Sequence, residues 1–118
     1  MTMSVPAARV TILIGSGDLW RHRPLSGEIV RRARAAGLNG ASVLHGVGGF
    51  GASCTIHRTR LFSVVNEHPV EIVIIDEEDK IRSFLPILDD LIPEGVVTVQ
   101  PCELIRHYKT PNNVSGSA

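Results

Sequence analysis

Apolar residues along this chain fall into two alternating spacings. Arg9-Val10-Thr11-Ile12-Leu13-Ile14 is a β-branched run that stops at Gly15-Ser16-Gly17-Asp18, which predicts a first strand over 9–14 and then a turn. Leu25, Ile29, Val30 and Ala33 recur at helical spacing while Arg31, Arg32 and Arg34 face away as a solvated stripe. Pro24 stands where a first helical turn tolerates it and Gly37 supplies a C-terminal stop, so this segment is a first helix. Extended runs follow at Ala41 to Val47, Leu61 to Val65 and Val70 to Ile75. Asp76 is placed to cap a second helix, with Glu77, Glu78 and Asp79 favourable in its first turn and Ile81, Phe84, Leu85, Leu88 and Leu91 as its buried stripe. Pro86 inside that stripe removes a backbone hydrogen bond and predicts a kink or a shortening. Pro93-Glu94-Gly95 ends the helix, Val96–Val99 and Cys102–Ile105 form a last strand broken at Pro101, and Thr110 to Ala118 reads as a disordered polar tail.

The order β-α-β-β-α-β is that of an α+β, ferredoxin-like unit, a four-stranded antiparallel sheet with two helices on one face. Ile12-Leu13-Ile14 and Ile72-Val73-Ile74-Ile75 are apolar on both sides of their strands, and two helices cannot bury both faces. Self-association around a symmetry axis is the expected remedy.

A chain of 118 residues is one domain of a size that folds without staples. The expected organisation is an extension over 1–8, a domain over 9–108 and the tail over 109–118. Twelve basic and twelve acidic residues cancel, so the bulk charge that drives nonspecific nucleic-acid or membrane binding is missing and any anion site must be local. Cys54 and Cys102 lie far apart and the start has no apolar signal core, which predicts free thiols in a soluble, cytoplasmic protein.

The chemistry-bearing stretch is Gly46-Val47-Gly48-Gly49-Phe50-Gly51, between the β-like run 41–45 and the polar, basic segment Ser53 to Arg60. Glycines this dense let backbone N–H groups turn toward an anion. The letters satisfy G-x-G-x-x-G, but that fingerprint works when a helix opens on the last glycine, and Ala52 to Arg60 has no helical period. The segment reads as a glycine-hinged mobile loop. Trp20, His22 and Arg23 are an alternative wall for a base or phosphate, although a tryptophan before a helix more often packs. His45, Cys54, His57, His68, Cys102 and His107 show no zinc-finger spacing, so no metal site is assigned from sequence. No constellation of acid, base and nucleophile emerges, which predicts a protein that is not an enzyme.

From Arg9 to Tyr108 the chain resembles the PII-like signalling proteins, most closely their small relatives defined by a domain of unknown function with a PII-like fold. The matching pieces are Thr11-Ile12-Leu13-Ile14-Gly15, Asp18-Leu19-Trp20 with Pro24-Leu25, Ala36 to Ala41, Gly46 to Ser53, Ile56-His57 with Arg60-Leu61, Pro69 to Asp76, Leu85-Pro86 and Pro93-Glu94-Gly95. The resemblance implies a homotrimer with an adenine nucleotide (AMP, ADP or ATP) held in clefts between subunits. It places the nucleotide against Gly46, Gly48, Gly49, Phe50, Gly51, His57, Arg58 and Arg60 of one subunit and a short loop, Glu94, Gly95 and Val96, of its neighbour. The short loop lacks the lysine of orthodox PII proteins, and Tyr108 is the only tyrosine, so neither their triphosphate clamp nor their tyrosine modification is expected. The implied role is regulatory: nucleotide binding changes the order of the 52–60 loop, which docks on a partner such as a membrane transporter or channel. The competing readings are a metal-binding trimer of related architecture and a dinucleotide-dependent enzyme.

Overall fold

A computed structural model describes residues 2–47 and 68–109. In chain order the elements are β1 (Thr2–Gly15), a small hairpin of β2 (Leu19–Trp20) and β3 (Arg23–Pro24), α1 (Leu25–Ala35), β4 (Ser42–His45), β5 (Pro69–Glu77), α2 (Glu78–Leu91) and β6 (Val96–His107). The main sheet has the order β4-β5-β1-β6, antiparallel throughout, with α1 and α2 packed on one face. This is the expected ferredoxin-like α+β fold.

Register sorts the side chains into two faces. Val43, Ile72, Ile12 and Val97 form one row across all four strands, and Ile74, Val10 and Val99 the next, all on the helix side. Val10, Ile12, Val70, Ile72 and Ile74 are completely buried there under Leu25, Ile29, Ile81, Phe84 and Leu88. Burial of each such side chain stabilises the fold by about 1.5–3 kcal/mol before chain entropy is charged against it. Trp20 packs against the edge of this core, as its place before a helix predicts. The opposite face carries the row Leu44–Glu71–Leu13–Val96 and then Ser42–Val73–Thr11–Thr98.

Several sequence expectations need correction. β1 begins at Thr2, so residues 2–8 are not an extension but the first half of a strand whose partner is β6. The break at Pro101 is not there: β6 runs unbroken through it, and an edge strand tolerates a missing N–H because one side of its ladder is open. β4 covers only Ser42–His45, not the whole of 41–47. Pro86 sits within α2 without ending it. The hairpin β2–β3 has no signal in the sequence, because its turn at Arg21 and His22 uses positive φ (47° and 68°) without glycine or asparagine. Asp76 does not cap α2; Glu77 holds the cap position, with no side-chain hydrogen bond. Asp76 lies in β5, completely buried, and its Oδ2 accepts the backbone N–H of Asn39 at 2.9 Å while Oδ1 accepts that of Glu77 at 2.7 Å. It therefore ties the α1–β4 connection to the β5–α2 junction. Arg31 and Arg32 are not merely a solvated stripe, since both bond the buried carboxylate of Glu28. Among the described residues no helix is long and apolar enough to cross a membrane.

Candidate functional site

Of the residues singled out from sequence, one end of the sheet holds Gly46, Glu94, Gly95 and Val96. β1 ends there at Gly15, β5 begins at Pro69 opposite it, β4 ends at His45, and β6 begins at Val96 opposite Leu13. Gly46 therefore leaves the sheet at one edge, and Glu94, Gly95 and Val96 enter it at the other. Three interstrand steps separate them, about 14 Å at roughly 4.8 Å per step. Within a single chain, Gly46 and the Glu94–Val96 loop share one end of the sheet on its opposite edges. Gly48, Gly49, Phe50, Gly51, His57, Arg58 and Arg60 lie outside the described residues, as do Cys54 and the extended run 61–65.

Among the candidate-site glycines, the two described ones, Gly46 and Gly95, are placed where a side chain has no room. The N–H of Gly46 donates to the Pro69 carbonyl at 2.8 Å, and a Cβ on Gly46 would stand 2.7 Å from the Pro69 ring. A Cβ on Gly95 would meet the Leu13 carbonyl oxygen at 2.9 Å and the Ile14 and Ile92 methyls at 3.1 Å. Close backbone approach, rather than positive φ, explains these two glycines.

Beside Gly95 a shallow cleft of about 390 Å³ is lined by Gly17, Asp18, Leu19, Pro93 and Glu94. Its wall is a tight turn in which the Gly15 N–H donates to Asp18 Oδ2 at 3.0 Å and the Asp18 N–H to the Gly15 carbonyl at 3.1 Å. The Leu25 N–H donates to the Asp18 carbonyl at 2.9 Å, so the turn is anchored to the start of α1. Hydrogen bonds on both flanks hold this wall in place.

At the other edge the sheet places two residues together that sequence spacing keeps apart. His45 lies opposite Val70, so His45 and His68 share a face, and His45 Nδ1 is 2.9 Å from His68 Nε2 with ring centroids 5.1 Å apart. The His68 backbone is fixed by a reciprocal pair: its N–H donates to Ser16 Oγ and its carbonyl accepts the Ser16 N–H, each at 2.9 Å. The signal for this pair is present in the sequence, since the residues flank the two ends of one inter-strand connection, but a separation of 23 positions hides it. Among the described residues no three His, Cys, Asp or Glu side chains form a metal-sized cluster. His22 and Arg23 stay exposed in the hairpin, and the Trp20 ring is flanked by the guanidinium groups of Arg21 at 4.7 Å and Arg32 at 5.2 Å. Those cations compete for the ring surface on which a base would stack.

Comparison with known proteins gives consistent matches. The family model DUF190, described as "Uncharacterized ACR", matches residues 7–104. The UPF0166 protein of Aquifex aeolicus (strain VF5) is 31% identical over 94 residues, 80% of this chain and 89% of that protein. Among solved structures, CPII from Thiomonas intermedia K12 bound to ADP, AMP and acetate superposes with a TM-score of 0.54 at 15% identity, covering 94% of this chain and 96% of that one. A Thermus thermophilus protein assigned to PII-like signaling gives a TM-score of 0.53 at 18% identity, covering 87% and 91%. At those identities the structural likeness establishes the fold.

Proposed function

The chain belongs to the DUF190 family and has the PII-like fold, and from that premise we propose that it is a regulatory protein binding an adenine nucleotide between subunits. The observation that carries this reading is the split site. Gly46 and the Pro93–Val96 loop lie at one end of the sheet but on opposite edges, so a neighbouring subunit would bring the loop of one copy to the glycines of the next. The structural relative CPII was solved with ADP and AMP, which supports the ligand class.

In this reading the subunits form a homotrimer, and Gly48, Gly49, Phe50 and Gly51 turn N–H groups to the phosphates. His57, Arg58 and Arg60 add charge-assisted hydrogen bonds worth about 1.5–3 kcal/mol each. Glu94, Gly95 and Val96 of the neighbour close the cleft. The nucleotide state is read by a protein partner through the segment 52–60, and the role is binding rather than catalysis.

Calorimetric titration with AMP, ADP and ATP, alongside nicotinamide dinucleotide, tests the reading. Micromolar or tighter binding of an adenine mononucleotide is expected, with Gly48→Val abolishing it and Arg60→Ala weakening it by about tenfold, the equivalent of about 1.4 kcal/mol. If both variants bind as the parent does, the glycine segment is not the site. If only the dinucleotide binds, the regulatory reading falls.

A further inference from the structure

We infer that His45 and His68 form a chelating site for a divalent first-row transition ion of tetragonal geometry, copper or nickel. Two imidazole nitrogens, one at the end of β4 and one just before β5, are in hydrogen-bond contact at 2.9 Å with their rings tilted by 55°. If the nitrogens keep that spacing as the rings pivot their lone pairs off the hydrogen-bond axis, an ion held about 2.0–2.1 Å from each would see them at roughly 90°. That is the cis angle of a tetragonal or octahedral centre. A tetrahedral zinc centre asks for about 109°, which would spread the nitrogens to about 3.4 Å. Imidazole suits copper, nickel and zinc alike, so geometry makes the distinction and the general affinity order, with copper highest, reinforces it.

The pair is mounted for this use. His68 is pinned through its own backbone by the reciprocal hydrogen bonds to Ser16, and the residue after His45, Gly46, is pinned to Pro69. The backbone at both residues is therefore held by hydrogen bonds while the His45 ring stays exposed. In the metal-free pair one ring nitrogen carries the proton shared between them. On binding, that proton moves to the distal nitrogen of the same ring through solvent, both rings pivot so that their lone pairs converge on the ion, and each imidazole stays neutral. Water completes the coordination shell. Neither ligand, His45 nor His68, is among the residues assigned to the nucleotide, and the inference stands independently of that reading. Its place at both ends of the 48–67 connection means a bound ion would tie those ends together.

The test uses the full-length, untagged chain. Nickel is the calorimetric titrant, because it does not oxidise the thiols of Cys54 and Cys102, and zinc is the comparison. One nickel ion per chain is expected, bound more tightly than zinc and weakened at least tenfold in His45→Gln and in His68→Gln, but not in His107→Gln. Substoichiometric copper added to the parent protein should give a tetragonal electron-paramagnetic spectrum with splitting from two imidazole nitrogens, a measurement that needs no variant to fold. Binding unchanged in both glutamine variants, a preference for zinc, or a copper spectrum with fewer than two nitrogen couplings would overturn the inference.

Discussion

Glu28 shows how a single side chain can serve helix and core together. It is buried in the first turn of α1, and Arg31 and Arg32, three and four residues further along the same face, hold its carboxyl down at about 2 against an ordinary 4.5, over the opposing effect of burial. A carboxylate whose folded value is depressed stabilises the fold above its unfolded value and loses that contribution as the pH falls through the folded one. Stability should therefore decline between about pH 4.5 and about pH 2. Urea denaturation across that window should show a shallower decline in Glu28→Gln than in the parent. Gly95 makes a second case, because a valine there would press on the Leu13 carbonyl, which belongs to the central strand and cannot yield. Gly95→Val should cost about 1–3 kcal/mol in the same assay, the scale of overpacking. Sequence patterning reads most of the core residues, with Val30 and Leu85 only half-buried, but misassigns Asp76 and the arginine stripe. A carboxylate before a helix looks like a cap whether its partners are local or 37 residues away, as Asn39 is.

Prolines account for two of the differences among the elements. Pro86 predicts a kink or a shortened α2, yet the helix continues from Glu78 to Leu91, held by Ile81, Phe84, Leu88 and Leu91 against the sheet. Packing of an amphipathic face outweighs one missing backbone bond. Pro86 is exposed within α2, so Pro86→Ala restores a hydrogen bond without disturbing the core. It should stabilise by about 1–2 kcal/mol, less than the full helix-propensity difference because alanine also loosens the unfolded chain. A lower midpoint in thermal unfolding would show that the proline conformation is itself built into the packing. Pro101 misleads for a related reason: local sequence does not reveal whether a strand is central or at an edge, and only the pairing with β1 settles that.

The whole molecule leaves apolar side chains on its helix-free face. Leu13, Leu44, Ile75 and Val96 keep 40–48% of their surface in solvent, interspersed with Glu71, Thr11 and Arg9. Light scattering should find an oligomer that persists at high salt, because apolar burial rather than charge drives it. A monomer at micromolar concentration would remove the intersubunit cleft on which the nucleotide reading depends. At this scale the fold is legible in the sequence because strand and helix periods are strong and the order of elements admits few topologies. The site is legible only in part. Glycines advertise themselves in sequence, whereas the His45–His68 pair and the Gly17–Glu94 cleft exist only once strands distant in the chain lie side by side.

The central position of β1 also governs how the chain acquires its fold. The first strand to be synthesised has β5 on one side and β6 on the other, and both come from the last half of the sequence. Neither flank of β1 can be satisfied until more than half of the chain has been made, and its pairing with β6 joins residues as distant as Thr2 and His107. Contacts of such separation must close long loops before they are rewarded, which slows the search for the native state. Refolding in a stopped-flow experiment should therefore fall in the range of milliseconds to seconds rather than microseconds. A fragment ending at residue 67 should show no cooperative melt, and adding the complementary piece from residue 68 should restore one, since it supplies both strands that β1 lacks.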